Sequence, residues 1–195
     1  MRIGILKADS VREEFQSEFG DYQGMFQRVL DSVARSALEY RTYDVLAGDY
    51  PESIDDCDGY VITGSRESVY DEQDWIRRLG DFVIALHEQQ KGTVGICFGH
   101  QIIAQAINGL VEKSNNGWGV GIKEIKFHKQ KPWFHNKIDN LKLISFHQDQ
   151  VIKIPDYADH LGGNSFCKYY SFGVENFVFT LQGHPEFSNK YALDL

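Results

Sequence analysis

Two short segments hold residue types that together can do covalent chemistry. In residues 91–109, KGTVGICFGHQIIAQAING, Cys97 has Gly95 two residues before it and Gly99 two residues after it. In residues 183–187, GHPEF, His184 and Glu186 flank Pro185. A cysteine serves as nucleophile when a base handles its proton and donors await the oxyanion that its attack creates. A free thiol titrates near 8.5, and a nearby imidazole and a helix N-terminus favour its anion. Residues two apart in an extended segment point the same way, so His184 and Glu186 share a face. The carboxylate can then hold the second ring nitrogen and fix tautomer and orientation. Pro185 helps by favouring extended backbone at His184.

The corner at Cys97 follows from its flanks. Thr93, Val94, Gly95 and Ile96 predict a short buried strand, and Ile102, Ile103, Ala106 and Ile107 fall at helical spacing. A strand that breaks this sharply into a helix pushes its corner side chain outward and needs small neighbours, as in the nucleophile elbow of G-x-S-x-G hydrolases. Upstream, residues 2–8 (RIGILKA) predict an opening strand. Residues 23–40 predict a helix with Met25, Phe26, Val29, Leu30, Val33 and Ala37 on one face. Residues 40–46 and 59–65 predict two more strands, the latter ending at Gly64. Residues 71–90 predict a helix with Trp75, Leu79, Phe82, Val83 and Leu86 turned inward. This β-α order predicts an α/β fold with a mainly parallel central sheet flanked by helices. Functional groups in such sheets gather beyond the carboxyl ends of the strands, where Gly64 and Cys97 lie. Beyond residue 120, the segments 120–127, 141–146, 166–172 and 177–183 are short, aromatic and β-branched. They predict added antiparallel strands in the C-terminal half. No repeat or linker interrupts the chain, so residues 1–195 are expected to form a single domain.

The bulk numbers exclude several classes. A net charge of -8 without a dense Lys/Arg cluster argues against a nucleic-acid partner. The segment 128–137, HKQKPWFHNK, predicts a solvated connection. Three widely spaced cysteines form neither a disulfide framework nor a zinc motif and point to a reducing, cytoplasmic setting. No run approaches the ~18 apolar residues of a membrane span. His87 on a helix among polar residues, His128 and His135 in the polar connection, and His160 in a loop predict solvated or structural roles. His184 and Glu186 alone make an incomplete metal site that only His147 and Asp149 could complete on paper, and no metal and no cofactor are expected. Cys57 and Cys167 predict packing roles.

GICFGHQ together with GHPE resembles the class I (triad) glutamine amidotransferase superfamily, whose fold is flavodoxin-like. The likeness extends to VITGS (61–65), GWGVG (117–121) and SFHQDQV (145–151), where Phe146 stands in place of the usual serine. With GSRESVYD at 64–71, the chain is similar to stand-alone GMP-synthase-like amidotransferase domains and to γ-glutamyl peptidases. The resemblance implies Cys97 as nucleophile, His184 as acid/base and Glu186 as its orienting partner. It implies an oxyanion hole from the N–H groups of Gly64 and Phe98, and substrate contacts from Gln101, Trp118, Gly119 and His147. The implied reaction is hydrolysis of the glutamine γ-amide through a γ-glutamyl thioester, the glutaminase half-reaction of an amidotransferase. The chain has no G-x-x-x-x-G-K-[ST] phosphate loop, so ammonia would pass to a separate synthase subunit. The alternatives are a stand-alone γ-glutamyl peptide hydrolase and a catalytically silent binding or regulatory module.

Overall fold

The computed structural model describes all 195 residues. Its N-terminal half alternates strands and helices: β1 (Arg2–Lys7), α1 (Glu13–Phe19), α2 (Tyr22–Val33), β2 (Glu39–Asp44), β3 (Gly59–Ile62), α3 (Asp74–Glu88), β4 (Gly92–Ile96) and α4 (Phe98–Ala106). The C-terminal half is mostly strand: β5 (Leu110–Lys113), β6 (Gly119–Phe127), β7 (Asn140–His147), β8 (Asp149–Lys153), β9 (Asp159–Gly163), β10 (Ser171–Val174) and β11 (Val178–Leu181). A short α5 (Asn189–Asp194) follows, capped by Ser188, whose side chain accepts from the Tyr191 N–H.

One nine-stranded sheet runs in the order β2-β1-β3-β4-β11-β10-β9-β6-β7, and β5 pairs separately with β8. From β2 to β11 every neighbouring pair is parallel; from β11 to β7 every pair is antiparallel. Continuous apolar stretches such as Ile3–Leu6 and Tyr60–Ile62 form β1 and β3 because both faces of that half are covered. On one face α3 and α4 pack Leu79, Val83, Phe98 and Ile103 against the sheet; on the other α2 packs Phe26. The strand order reverses at β1, since β2 and β3 lie on opposite sides of it. That switch point opens a crevice beyond the carboxyl ends of β1 and β3.

Several sequence expectations are corrected. The helix predicted over 23–40 stops at Val33, which is exposed, and Asp21 caps its start. Residues 13–19 form a further short helix. The β2–β3 crossover carries only two single-turn 3-10 segments in place of a helix. Residues 166–170 are not strand: the Asn164 side chain accepts from the Phe166 and Cys167 N–H groups, an Asx turn that occupies the donors a ladder would use. His160 lies in β9 and not in a loop. The segment 128–137 is anchored: Lys131 is buried on Asp159, and Trp133 and Phe134 pack edge-on against Phe179. The largest correction concerns residues 177–183, expected among the antiparallel strands: β11 is antiparallel to β10 but not to its other neighbour. β11 pairs in parallel with β4, matching Thr180 to Gly95 and Leu181 to Ile96. This register sets the chain leaving β11 beside the chain leaving β4.

Candidate active site

The elbow is built by contact between backbones. Cys97 has φ 53 and ψ -104, the positive-φ conformation that side-chain-bearing residues rarely adopt. Its N–H donates to the Leu181 carbonyl at 2.8 Å, and the Gly99 N–H donates to the Thr63 carbonyl at 3.1 Å, tying the corner to β11 and β3. A Cβ on Gly99 would stand 2.3 Å from the Ile62 carbonyl oxygen, and one on Gly95 would stand 2.4 Å from the Gly99 carbonyl. Neither position has room for a side chain. The spacing of glycines around Cys97 is therefore a steric demand of the strand–helix junction.

His184 emerges two residues past Gln182, at the end of β11, and its N–H donates to the Ile144 carbonyl at 2.8 Å. The ring Nδ1 lies 2.7 Å from Glu186 Oε1, and both side chains are buried. Burial alone would lower the His184 pKa; the Glu186 carboxylate and the facing Cys97 override it and raise the value to about 10. The imidazole is thus held protonated across the neutral range. Its ring stacks flat on Phe187, with centroids 4.0 Å apart.

Gly64 abuts both groups: a Cβ there would stand 3.1 Å from His184 Cε1 and 3.7 Å from Cys97 Cβ. Its N–H donates to no acceptor of the protein. Phe98 opens α4, so its N–H has no carbonyl one turn earlier within the helix. Both amides are therefore available for an anion at the sulfur.

A cleft of roughly 360 Å³ opens over Cys97, and Gly64, Gln101, Trp118, His147 and His184 all contribute to its walls. Gly119 and Glu186 stand behind those walls. Gly119 acts as a spacer, since a Cβ there would press 2.6 Å from Phe166 and 3.1 Å from His147 Nε2. Trp118 is 58% exposed at the rim against Phe146. His147 is buried, its Nδ1 bonds the Asp149 carbonyl at 3.1 Å, and its Nε2 has no partner. Burial pushes its pKa down to about 4, so it is a neutral acceptor. No group of three or more His, Cys, Asp and Glu side chains is placed to hold a metal ion.

Sequence reasoning missed three parts of the site. Gln182, fully buried, reaches the Cys97 Sγ at 3.6 Å through Nε2. Gln101 donates through Nε2 to Gln182 Oε1 at 3.1 Å and to the Asp149 carbonyl at 2.9 Å, so its amide nitrogen is already committed. The Asp149 carboxylate accepts from Ser68 at 2.5 Å and from Tyr70 at 2.8 Å, fixing the loop after Gly64. Asp9 clamps the same loop through Arg66 Nε at 2.8 Å and the Arg66 N–H at 3.0 Å. The one sequence signal for Gln182 was a polar residue closing the apolar run FVFTL.

A half-parallel sheet thus carries a strained cysteine elbow beside a buried His–Glu pair on the adjoining strand. The sequence pattern of the glutamine amidotransferase class-I family matches residues 22–192, and the chain belongs to that family. It is 30% identical over 187 residues to γ-glutamyl peptidase 2 of Arabidopsis thaliana, covering 93% of this chain and 75% of that protein. To a glutamine amidotransferase-like protein of Schizosaccharomyces pombe it is 32% identical over 200 residues, covering 96% and 80%. To the glutamine-hydrolyzing GMP synthase subunit of Archaeoglobus fulgidus it is 26% identical over 180 residues, covering 91% and 90%. Its fold matches that of a Thermotoga maritima glutamine amidotransferase with a TM-score of 0.82 at 18% identity, over 97% of this chain and 78% of that one. No helix is long and apolar enough to cross a membrane.

Proposed function

We propose that the chain, acting as one domain in a reducing compartment, is a γ-glutamyl hydrolase with Cys97 as nucleophile, His184 as acid/base and Glu186 as its orienting partner. The sulfur anion attacks the γ-carbonyl carbon of a γ-glutamyl amide, forming a C–S bond. The oxyanion takes hydrogen bonds from the Gly64 and Phe98 N–H groups; losing one such donor costs about 10²–10³ in rate in comparable sites. As the C–N bond breaks, His184 gives its proton to the departing nitrogen and leaves a γ-glutamyl thioester. The now neutral imidazole takes a proton from water, whose oxygen attacks the thioester. The C–S bond breaks, glutamate leaves, and the sulfur anion and imidazolium are restored.

The observation that carries the choice of substrate is the cleft, which continues past His184 to Arg12 and Tyr22, further than departing ammonia requires. The likeness to γ-glutamyl peptidases supports the same choice. It moves the reading from the glutaminase half-reaction, which the sequence motifs put first, to a γ-glutamyl peptide. A glutaminase serving a separate synthase is the second reading, favoured by the likeness to the glutamine-hydrolyzing GMP synthase subunit.

The test is glutamate release from glutamine and from a γ-glutamyl dipeptide in parallel, with Cys97→Ala as blank. We expect faster release from the dipeptide and none from the variant. Faster release from glutamine would reinstate the amidotransferase reading; full activity in Cys97→Ala would remove the cysteine mechanism, and silence on both substrates would leave the silent binding module.

A further inference from the structure

The cleft has two arms that meet at Cys97, and they differ in how their polar groups are spent. One arm lies beyond the first turn of α4 and the end of β7, where Gln101, His147 and Asp149 are joined by hydrogen bonds. The other lies beyond the carboxyl ends of β1 and β3, at the switch point of the sheet. Its walls include Arg12, Arg66, Tyr22, Phe187 and Tyr191. Phe187 stacks on His184, and Tyr22 stacks on Phe187 with centroids 6.3 Å apart. The hydroxyls of Tyr22 and Tyr191 meet at 3.3 Å. This arm therefore adjoins the imidazole that protonates the departing nitrogen, with Phe187 covering one face of that ring. The tetrahedral intermediate has its oxyanion at Gly64 and Phe98, which leaves the Gln101 arm for the glutamyl chain and the Tyr22 arm for the leaving group.

The cations of the leaving-group arm are not equivalent. Arg66 is spent: Nε donates to Asp9 at 2.8 Å and its second amino group to the Ser10 carbonyl at 3.1 Å. Arg12 forms no ion pair and donates no side-chain hydrogen bond, although it lines the cleft of a chain whose net charge is -8. Arg12 is exposed, so its guanidinium is solvated and free to pair with an incoming carboxylate. Guanidinium and carboxylate match in a bidentate geometry that an amide cannot reproduce.

Building on the hydrolase reading above, we propose that Arg12 is a specificity residue that takes the carboxylate of the leaving amino acid or short peptide. The substrate class is then a γ-glutamyl amino acid or peptide with a free C-terminal carboxylate, its leaving residue lying along Tyr22 and Phe187. Arg12 acts in binding and takes no part in the proton transfers.

The experiment compares a γ-glutamyl dipeptide with its C-terminal amide by kcat/KM, in the wild type, in Arg12→Met, in Arg12→Lys and in Arg77→Met. Arg77 is an exposed arginine on α3 whose loss changes net charge equally without touching the cleft. The wild type is expected to prefer the free acid about tenfold or more, mainly through KM, since hydrogen bonds between charged groups are the stronger class. Arg12→Met should bring the ratio of acid to amide near one, Arg12→Lys should keep part of it, and Arg77→Met should keep all of it. An unchanged ratio in Arg12→Met, or equal cleavage of acid and amide by the wild type, overturns the role of Arg12 while the hydrolase reading stands. Cys97-dependent glutamate release from glutamine with neither peptide cleaved overturns both.

Discussion

Two buried histidines line one cleft and differ in charge, one a cation and the other neutral. His184, past β11, has a carboxylate 2.7 Å from its Nδ1 and titrates at about 10. His147, at the end of β7, has only a backbone carbonyl at 3.1 Å from Nδ1 and titrates at about 4. Burial lowers both, because a low-dielectric surround disfavours the cation. Glu186, two positions along the chain, and the facing Cys97 raise His184, whereas Asp149, two positions past His147, has turned its side chain away to Ser68 and Tyr70. A charged and a neutral imidazole are thus made from one residue type by the groups that face each ring.

The sharpest way to break this contrast is Glu186→Gln, which leaves His184, like His147, without a carboxylate on its Nδ1. Its kcat should fall by about 10²–10⁴, the range seen when an orienting carboxylate is made neutral, as read from glutamate release. A variant at wild-type rate would show that Glu186 neither orients nor charges the imidazole. Next in size is the pH response. An acid must be protonated to act, so the wild-type rate of thioester formation should hold through neutral pH and fall as pH rises through about 10. In Glu186→Gln the fall should begin at a lower pH. Nuclear magnetic resonance titration of the two imidazoles would separate them directly, with His184 charged and His147 neutral at pH 7.

Stability should follow the same pair with the same sign. A folded-state pKa raised above the ordinary 6.5 contributes stability that is full below 6.5 and lost as pH rises through about 10. The melting-temperature gap between wild type and Glu186→Gln should therefore be widest below pH 6.5 and close toward pH 10. The smallest effect belongs to His147→Leu. Removing one neutral acceptor should raise KM about 2–10-fold with kcat held, in line with about 0.5–1.5 kcal/mol per hydrogen bond. A collapse of kcat instead would place His147 in the proton transfers and end the contrast.

The parts of the site that the sequence displays are those set by residues close in the chain. The elbow could be seen because Gly95 and Gly99 answer a local clash, and the His184–Glu186 pairing because alternation in extended backbone is local. The direction of β11 could not be seen. Its residues suit a parallel or an antiparallel neighbour equally, and the choice is made by β4, more than eighty positions earlier in the chain. Gln182 and Asp149 stayed hidden for the same reason: their partners Cys97, Gln101, Ser68 and Tyr70 are brought near only by the completed sheet. The loop at 166–170 was misjudged because its aromatic composition suits a strand, while one Asn164 side chain redirects its backbone.

The pairing of β4 with β11 has a mechanical consequence. The Cys97 N–H is bonded to the Leu181 carbonyl, so Cys97 is riveted to the strand that delivers His184. The sheet works as a ruler with marks about 3.3 Å apart along each strand. A slip of one mark would carry His184 out of reach and turn every side chain of β11 to the other face. Between engaged and useless there is no intermediate setting. Heating the protein should therefore extinguish turnover in one step, at the temperature where β4 and β11 part.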